Sequence, residues 1–270
     1  MRIGSLDFVP GGPLLLMAGP CVLEDDKTPF EIARQLREMT GALGMPFVFK
    51  ASYDKANRTS KDAFRGPGPE EGLALLAAIR DEIGVPVMTD VHEPEHCALA
   101  VGKVDMLQIP AFLCRQTDLL VAAGNSGLAV NIKKGQFLAP WDIEHCLGKV
   151  RSTGNEQVCV TDRGYSFGYN ALVSDMRAIP QMKRFGVPVV FDATHSVQQP
   201  GGAGSSTSGD RSMAPILARA AVAAGADAVF AETHPEPDKA KSDGPNMIPL
   251  GELSQLLATL QRVQAAIRED

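Results

Sequence analysis

Apolar runs of six to eight residues recur along the chain, and each of them ends in polar or reactive side chains. Runs of this length that are apolar almost throughout are typical of strands buried on both faces of a parallel sheet. The predicted strands are Leu14–Cys21, Pro46–Ser52, Val85–Asp90, Asp105–Pro110, Leu128–Lys134, Gln157–Arg163, Pro188–His195 and Asp227–His234.

Between these runs lie segments in which apolar residues recur at helical spacing. In the segment Pro29–Leu43, Ile32, Leu36 and Met39 share one face. Proline opens several of these segments, as it often opens helices. The predicted helices are Pro29–Leu43, Pro69–Ile83, Pro94–Val101, Asp118–Ala123, Pro140–Arg151, Asn170–Arg184, Met213–Ala224 and Leu250–Arg268.

Strand and helix thus alternate eight times, which predicts an α/β fold and favours a closed (β/α)8 TIM barrel over an open sheet. Such a barrel takes about 250 residues, so residues 1–270 are predicted to form a single catalytic domain. No G-x-G-x-x-G motif follows the first strand, which argues against a dinucleotide-binding fold. Residues Ile3–Val9 are predicted to add a short N-terminal hairpin.

Composition and charge narrow the classes of partner. The net charge is −6 and the chain has no basic stripe, so we expect no nucleic acid partner. Five cysteines without a C-x-x-C pair indicate a reducing compartment. The N-terminus lacks a charged region, and the run Leu14–Met17 is too short for a signal core or a membrane span. We therefore expect a cytoplasmic protein with no membrane partner.

The exit of the second predicted strand is rich in cations, because Lys50, Lys55 and Arg58 fall within nine residues. A solvated surface loop is the commoner role for one such loop, and a site for a phosphorylated small molecule is the alternative. Lys133 and Arg163 end the fifth and sixth strands, and the strand ends of a barrel meet at one rim. The sequence therefore predicts a cavity for two anionic substrates, or for one with several charges.

Two consecutive lysines end the fifth strand. Side chains alternate between the two faces of a strand. Lys133 is therefore expected to line the cavity, and Lys134 is expected to point away from it.

A second cluster is expected where the seventh, eighth and first strands become neighbours on barrel closure. Cys21, His195, Glu232 and Asp243 follow these strands. Thiolate, imidazole and carboxylate groups together suit Zn²⁺ or Fe²⁺ better than Mg²⁺. Taken alone, Cys21 is more often a small buried hydrophobe, and the alternative for His195 is a hydrogen-bonded core histidine. Four such side chains at adjacent strand exits favour a metal site.

The segment Gln198–Gly209, after the seventh strand, is rich in Gly and Ser. Its position suits a lid over the substrates. Its composition suits a flexible linker equally well.

Ten short stretches, spread from the first strand to the eighth, form a pattern that is known from one enzyme family. They are Ala18–Cys21, Phe49–Ser52, Asp54–Ser60, Thr89–Glu93, Gln108–Leu113, Arg115–Asp118, Asn131–Phe137, Phe167–Asn170, Asp192–Val197 and Glu232–Pro237. With these motifs in order over nearly the whole chain, the sequence resembles the 3-deoxy-D-manno-octulosonate 8-phosphate synthases, also called 2-dehydro-3-deoxyphosphooctonate aldolases.

The resemblance implies an aldol-like condensation of phosphoenolpyruvate with D-arabinose 5-phosphate and water, which releases phosphate and serves lipopolysaccharide biosynthesis. It also implies a homotetramer in which Arg115 reaches into the site of a neighbouring subunit. By the same likeness, Asn57, Arg58 and Thr59 hold the sugar phosphate, and Asp90 lies near the sugar hydroxyls. The residues implied to clamp phosphoenolpyruvate are Lys50, Lys55, Gln108, Ala111, Lys133 and Arg163. Catalytic roles are implied for Lys50, Lys55, Asp90 and His195.

The family that the chain resembles divides into a branch that requires a metal ion and a branch that does not. The metal-requiring branch carries Cys where the other carries Asn, and Cys21 matches the former. His195, Glu232 and Asp243 match the other ligands, which implies Zn²⁺, Fe²⁺ or Mn²⁺ as the cofactor. The stretch Asp243–Pro245 departs from this pattern and is closer to the metal-independent branch.

Two other functions are open at this point. The related synthase that makes 3-deoxy-D-arabino-heptulosonate 7-phosphate from erythrose 4-phosphate shares the barrel, the phosphoenolpyruvate clamp and a Cys-containing metal site. At the position of Lys55–Thr59, that synthase has a stretch similar to Lys-Pro-Arg-Thr. The presence of Asn57 in this chain therefore favours the five-carbon sugar. A non-catalytic phosphosugar-binding barrel is expected to lack part of the chemistry, yet every cation and all four candidate ligands are present. We therefore expect an enzyme.

Overall fold

The computed structural model describes residues 1–58, 60–202 and 208–268. Within these ranges eight parallel strands form a closed barrel, as the alternation of strands and helices predicts. Each of these strands lies inside one of the predicted apolar runs. The barrel strands are β1 (Leu15–Gly19), β2 (Phe47–Lys50), β3 (Val87–Asp90), β4 (Met106–Ile109), β5 (Ala129–Lys133), β6 (Val158–Asp162), β7 (Val189–Asp192) and β8 (Ala228–His234).

Each strand pairs with the next one along the chain, and β8 pairs with both β7 and β1 to close the barrel. In the closing pair, Leu15 lies opposite Ala228 and Gly19 lies opposite Glu232. Because all eight strands are parallel, their carboxyl ends share one rim. The exits of β7, β8 and β1 therefore lie side by side.

Eight helices surround the barrel in the described part of the chain. They are α1 (Thr28–Ala42), α2 (Pro69–Ile79), α3 (Pro94–Ala100), α4 (Thr117–Asn125), α5 (Ile143–Arg151), α6 (Ala178–Lys183), α7 (Ala214–Ala223) and α8 (Leu250–Arg268). A π-helical turn, Arg80–Gly84, extends α2.

The sixth helix is shorter than the sequence predicts. It begins at Ala178, and the residues before it form an antiparallel pair of Tyr165–Ser166 with Leu172–Val173. Asn170 lies in the left-handed region with φ 54°, a conformation that a helix interior does not accommodate. The prediction of a helix over Asn170–Arg184 is therefore wrong for residues 170–177.

Side chains alternate along the strands between the barrel interior and the layer beneath the helices. In β1, Leu15 and Met17 pack in the interior cluster, whereas Leu16 and Ala18 pack in the larger cluster under the helices. The same alternation decides which polar residues reach the cavity at the rim.

The predicted N-terminal hairpin is present and pairs Arg2–Ile3 with Leu6–Asp7. Ile3 and Phe8 are buried in the interior cluster together with the strand residues that face it. The hairpin therefore contributes apolar side chains to the core of the barrel.

No helix in the described ranges has both the length and the mean hydropathy that a membrane crossing requires. The five cysteines, all within those ranges, are buried and form no disulfide.

Candidate active site

A cavity of about 710 Å³ opens at the carboxyl ends of the barrel strands. Arg115 is exposed outside this cavity, so its predicted reach into a neighbouring subunit stays a prediction. Thr59 and residues 203–207 of the predicted lid lie outside the described residues. The predicted site residues that line the cavity are Lys50, Lys55, Asn57, Arg58, Asp90, Gln108, Ala111, Lys133, Arg163, His195 and Asp243.

At the end of β2, Lys50 lies in the cavity and is held by a buried network. Its Nζ donates to Ser52 Oγ at 2.8 Å and lies 3.3 Å from Asp90 Oδ1. Ser52 donates to the same carboxylate oxygen, and His92 Nε2 lies 3.0 Å from Asp90 Oδ2. Burial alone raises the pKa of Asp90, but Lys50 and His92 outweigh burial and hold that pKa well below its ordinary value. Asp90 is therefore an anion that fixes the position of Lys50.

At the end of β5, Lys133 lies over an aromatic floor that it shares with Lys50. Its Nζ is 3.8 Å from the centre of the Phe230 ring, and Lys50 Nζ is 5.8 Å from the same centre. Lys133 Nζ also lies 2.5 Å from Asp192 Oδ2. Burial lowers the pKa of Lys133, and Asp192 offsets part of that effect. The two ammonium groups thus converge on the deep end of the cavity.

Arg163, from the exit of β6, is the third cation of the deep end. Its Nη2 donates to His195 O at 3.1 Å and to Gln198 Oε1 at 2.5 Å. Its Nε is buried and has no hydrogen-bond partner among the described residues. Burial lowers the pKa of Arg163 although carboxylates lie nearby. A buried guanidinium with a donor to spare suits the oxygens of a phosphate or carboxylate.

The loop after β2 forms the outer part of the cavity. Arg58 Nη1 donates to Ser242 Oγ on the loop after β8, which joins two sides of the rim. Lys55 Nζ lies 3.7 Å from Glu232 Oε1. Burial alone lowers the pKa of Lys55, but the acidic groups around it raise that pKa well above its ordinary value. Lys55 is therefore a cation between two groups of predicted site residues. They are the anion-binding cluster, Lys50, Lys133 and Arg163, and the metal-ligand cluster, Cys21, His195, Glu232 and Asp243.

The four predicted metal ligands lie together. Cys21, Glu232 and Asp243 place one ligand atom each within 4.8 Å of one another. His195 Nε2 lies 3.6 Å from Glu232 Oε1 and 3.7 Å from Asp243 Oδ2. Both carboxylate oxygens of Glu232 are buried, and neither accepts a hydrogen bond from any described residue. A buried carboxylate without donors is costly unless a cation compensates it. Lys55 does so only from 3.7 Å, beyond hydrogen-bond distance, so these residues fit a divalent ion of the zinc type.

Asp243 reaches this cluster from a left-handed backbone with φ 51°, a conformation that is uncommon for residues other than Gly. Its Oδ2 accepts a hydrogen bond from Cys21 Sγ at 3.2 Å. Burial raises the pKa of Asp243, but His195 and Lys55 outweigh burial and lower it. Burial, together with Asp243 and Glu232, raises the pKa of the Cys21 thiol well above its ordinary value. A metal ion would favour the thiolate that this environment otherwise opposes.

Residues without an assigned catalytic or binding role in the sequence analysis also belong to the site, among them Ser52, Asp192, Gln198 and Ser242. The first two carried a usable signal, because each is a polar residue at the end of an apolar run and alternation turns it inward. Gln198 and Ser242 lie outside the barrel strands, where no periodicity indicates which way a side chain points.

Comparison with known proteins places the chain in a family. The sequence profile described as the DAHP synthetase I family matches residues 10–269. The 2-dehydro-3-deoxyphosphooctonate aldolase of Geobacter metallireducens is 55% identical over 268 residues, which are 99% of this chain and 98% of the relative. Proteins of the same name from Desulfatibacillum aliphaticivorans and Rhodopseudomonas palustris are each 57% identical, over 95% and 98% of this chain and 94% and 93% of their own lengths.

These relatives share one name over nearly their whole lengths, and it agrees with the resemblance seen in the motifs. The alternative synthase, which uses erythrose 4-phosphate, is not favoured by them. The chain belongs to the DAHP synthetase I family and, within it, to the 2-dehydro-3-deoxyphosphooctonate aldolases.

Proposed function

We propose that this chain condenses phosphoenolpyruvate with D-arabinose 5-phosphate and water to give 3-deoxy-D-manno-octulosonate 8-phosphate and phosphate, a reaction that serves lipopolysaccharide biosynthesis. The observation that carries the proposal is the full-length identity of 55–57% to enzymes named 2-dehydro-3-deoxyphosphooctonate aldolase. The arrangement of charge in the cavity supports it independently.

Both proposed substrates are phosphorylated, so they repel each other unless cations neutralise them. Lys50, Lys133 and Arg163 supply positive charge at the deep end, which suits the phosphate and carboxylate of phosphoenolpyruvate. Arg58, on the outer loop, suits the phosphate of the sugar. Charges that are held in place before the substrates arrive stabilise the transition state without reorganising.

In the proposed reaction, carbon 3 of phosphoenolpyruvate forms a bond to the aldehyde carbon of the sugar, whose oxygen becomes a hydroxyl. Water adds at carbon 2, and the resulting hemiketal phosphate expels inorganic phosphate by cleavage of the carbon–oxygen bond. The proton gained by the aldehyde oxygen balances the one lost by the water. Asp90 lines the cavity and is the ionisable group that we assign to these proton movements, whereas His195, which also lines it, is assigned to the divalent ion below.

We propose that Cys21, His195, Glu232 and Asp243 hold a divalent ion, which is Zn²⁺, Fe²⁺ or Mn²⁺. When bound, such an ion supplies Lewis acidity toward an aldehyde or orients a water molecule. The two unpartnered oxygens of Glu232 support the assignment, as does the position of His195 Nε2 beside two carboxylates.

We further propose that the chain forms a homotetramer. The loops after the neighbouring strands β4, β5 and β6 expose large apolar side chains, and exposed apolar surface of this kind supports an interface. Arg115 follows the first of these loops. A second copy of the chain bound on this face is therefore consistent with the predicted reach of Arg115 into the site of a neighbouring subunit. The exposed residues are Phe112, Phe137, Trp141, Phe167 and Tyr169.

The five buried, unpaired cysteines support a reducing, cytoplasmic location.

The test is phosphate release from phosphoenolpyruvate with D-arabinose 5-phosphate or with erythrose 4-phosphate, before and after treatment with a chelator. We expect activity with arabinose 5-phosphate, lost on chelation and restored by Mn²⁺ or Zn²⁺. A preference for erythrose 4-phosphate would overturn the proposed substrate. Full activity in the chelated protein would overturn the metal assignment and leave the synthase assignment intact.

A further inference from the structure

We propose that Asp192 is a positioning residue that serves both halves of the site, because its one carboxylate holds Lys133 on the anion-binding side and orients His195 on the metal-ligand side. The inference rests on the proposed function, since it assigns Asp192 a task within that reaction.

Asp192 lies at the end of β7 and is completely buried. Strand alternation places it on the same side of β7 as Val190, which packs in the barrel interior. Its Oδ2 lies 2.5 Å from Lys133 Nζ. A long lysine side chain that ends on a buried carboxylate is held in one geometry, so the position of the ammonium group is set before any substrate binds.

The same carboxylate holds the imidazole of His195. Oδ2 lies 2.8 Å from Nδ1, and Oδ1 accepts a hydrogen bond from the backbone N–H of His195 at 2.9 Å. Lys133 Nζ is farther from Nδ1, at 3.4 Å. Because a carboxylate accepts and does not donate, Asp192 favours the tautomer of the neutral ring in which Nδ1 carries the proton and Nε2 has the lone pair.

That lone pair is on the side of the predicted ligands. Nε2 lies 3.6 Å from Glu232 Oε1 and 3.7 Å from Asp243 Oδ2. A metal-binding histidine commonly donates its other N–H to a carboxylate, which fixes the tautomer and the orientation of the ring. Asp192 therefore supplies the partner that His195 needs in order to serve as a ligand through Nε2.

A third contact links Asp192 to Glu232. Thr194 Oγ1 donates to Asp192 Oδ1 at 3.3 Å and accepts from the backbone N–H of Glu232 at 3.1 Å. The carboxylate of Asp192 thus lies at the junction of β5, β7 and β8. Its loss is expected to disturb the anion-binding and the metal-ligand clusters together.

The test compares Asp192→Asn with Asp162→Asn. Asp162 is a matched control because it is also a buried carboxylate at a strand end with a lysine partner, Lys134 at 3.3 Å, but on the outer face of the barrel wall. The primary readout is the ¹⁵N NMR spectrum of the histidine ring nitrogens in the metal-free, substrate-free protein. The chain has five histidines, and His195→Asn identifies the signal in question.

In Asp192→Asn the new amide can donate to Nδ1, so we expect the tautomer of His195 to change from Nδ1–H to Nε2–H. We also expect the affinity for Mn²⁺ or Zn²⁺ to fall about 10–100-fold, and the affinity for phosphoenolpyruvate to fall about 10-fold because Lys133 loses its anchor. Asp162→Asn is expected to leave all three unchanged. Asp192→Ser, which also removes the carboxylate, serves if the asparagine variant does not fold.

Three results would overturn the inference. They are an unchanged tautomer in Asp192→Asn, a loss of affinity for only the metal ion or only phosphoenolpyruvate, and losses of affinity in Asp162→Asn equal to those in Asp192→Asn. The outcome remains separable from the proposed function. A wild-type protein without synthase activity overturns that function, whereas the tautomer is measured without metal, substrate or turnover.

Discussion

Lys133 and Lys134 are neighbours in sequence, yet their ammonium groups lie on opposite sides of the barrel wall. Lys133 Nζ is 2.5 Å from Asp192 Oδ2 in the interior. Lys134 Nζ is 3.3 Å from Asp162 Oδ1 and 3.7 Å from the centre of the Tyr165 ring, in the layer under the helices. The alternation of side chains along β5 is the cause. We therefore expect Lys133 to serve the reaction and Lys134 to serve stability.

Lys133→Met is expected to lower kcat/KM for phosphoenolpyruvate by about 10²–10³-fold, because it removes a fixed charge from the deep end of the cavity. Lys134→Met serves as the control and is expected to change kcat/KM much less. Steady-state kinetics with D-arabinose 5-phosphate measures both. Equal losses in the two variants would contradict the assignment of Lys133 to the substrate site.

The stability of the same two variants is expected to fall in the opposite order. Lys134→Met leaves Asp162 buried without its lysine, so we expect the free energy of unfolding to fall by about 3 kcal/mol. In Lys133→Met, Asp192 keeps its contacts with His195, which makes the loss smaller. Urea unfolding at pH 7 measures the difference. A larger loss in Lys133→Met would show that Lys133 is mainly structural.

Substitution of Cys21 by Ala is expected to reduce bound metal to about one tenth of the wild-type content or less, since it removes the proposed thiolate ligand. Cys97→Ala is the matched control, because Cys97 is also buried but packs in the cluster under the helices. Metal content after dialysis against Zn²⁺ is the measurement. Equal metal content in Cys21→Ala and Cys97→Ala would rule out the thiol of Cys21 as a ligand.

The carboxyl of Asp90 is expected to make stability depend on pH in the acid range. Its pKa in the folded protein is well below the ordinary 3.8, so its contribution is present above about pH 3.8 and is lost as the pH falls below that value. Asp90→Asn is therefore expected to cost ~2 kcal/mol at pH 7, a difference that shrinks toward pH 3. The check is urea unfolding of wild type and variant across this range.

The carboxyl of Asp162 is expected to change stability with pH in the opposite direction, and the same urea unfolding series measures it. Burial raises the pKa of its carboxyl above 3.8 despite Lys134. The folded state then holds the proton more tightly than the unfolded state, so this contribution is present below about pH 3.8 and is lost as the pH rises through the folded pKa. Asp162→Asn is expected to flatten that part of the profile. Parallel profiles for Asp90→Asn and Asp162→Asn would contradict both assignments.

At the opposite end of the barrel, Asp227 is expected to matter for stability and not for the reaction. Its Oδ1 accepts from Gly11 N at 2.7 Å and from Lys183 Nζ at 2.8 Å, and its Oδ2 accepts from Val189 N at 2.9 Å. Asp227→Ala leaves these donors without their acceptor, so we expect a loss of about 3 kcal/mol in unfolding free energy. Kinetic constants measured below the unfolding temperature should stay within about twofold. A tenfold fall in kcat would refute the separation of the two ends.

The apolar residues at the rim are expected to control assembly. Trp141 is 61% exposed and Phe137 is 59% exposed, so Trp141→Glu combined with Phe137→Glu places two charges in the proposed interface. We expect a smaller assembly by analytical ultracentrifugation. Ile216→Glu, at an exposed position on α7, is the control. An unchanged mass in the double variant would place the interface elsewhere.

Features that depend on residues close together in the sequence could be predicted, whereas features that depend on contacts between remote residues could not. All eight strands could be predicted, since burial on both faces leaves an apolar run that is visible in the sequence. The start of α6 could not, because residues 170–177 have a left-handed residue at Asn170 and a local strand pair that no apolar period marks. The loop conformation of Asp243 was hidden for the same reason.

The barrel, the cations at the strand exits and the membership of the family could be predicted from the sequence, because each depends on local pattern or on motif order. Which groups share a partner became visible only in the folded protein. Lys133 and His195 meet on Asp192, and the oxygens of Glu232 are left without donors among the described residues. Distances of this kind depend on how far strands that are remote in sequence approach when the barrel closes, and a linear pattern does not contain them.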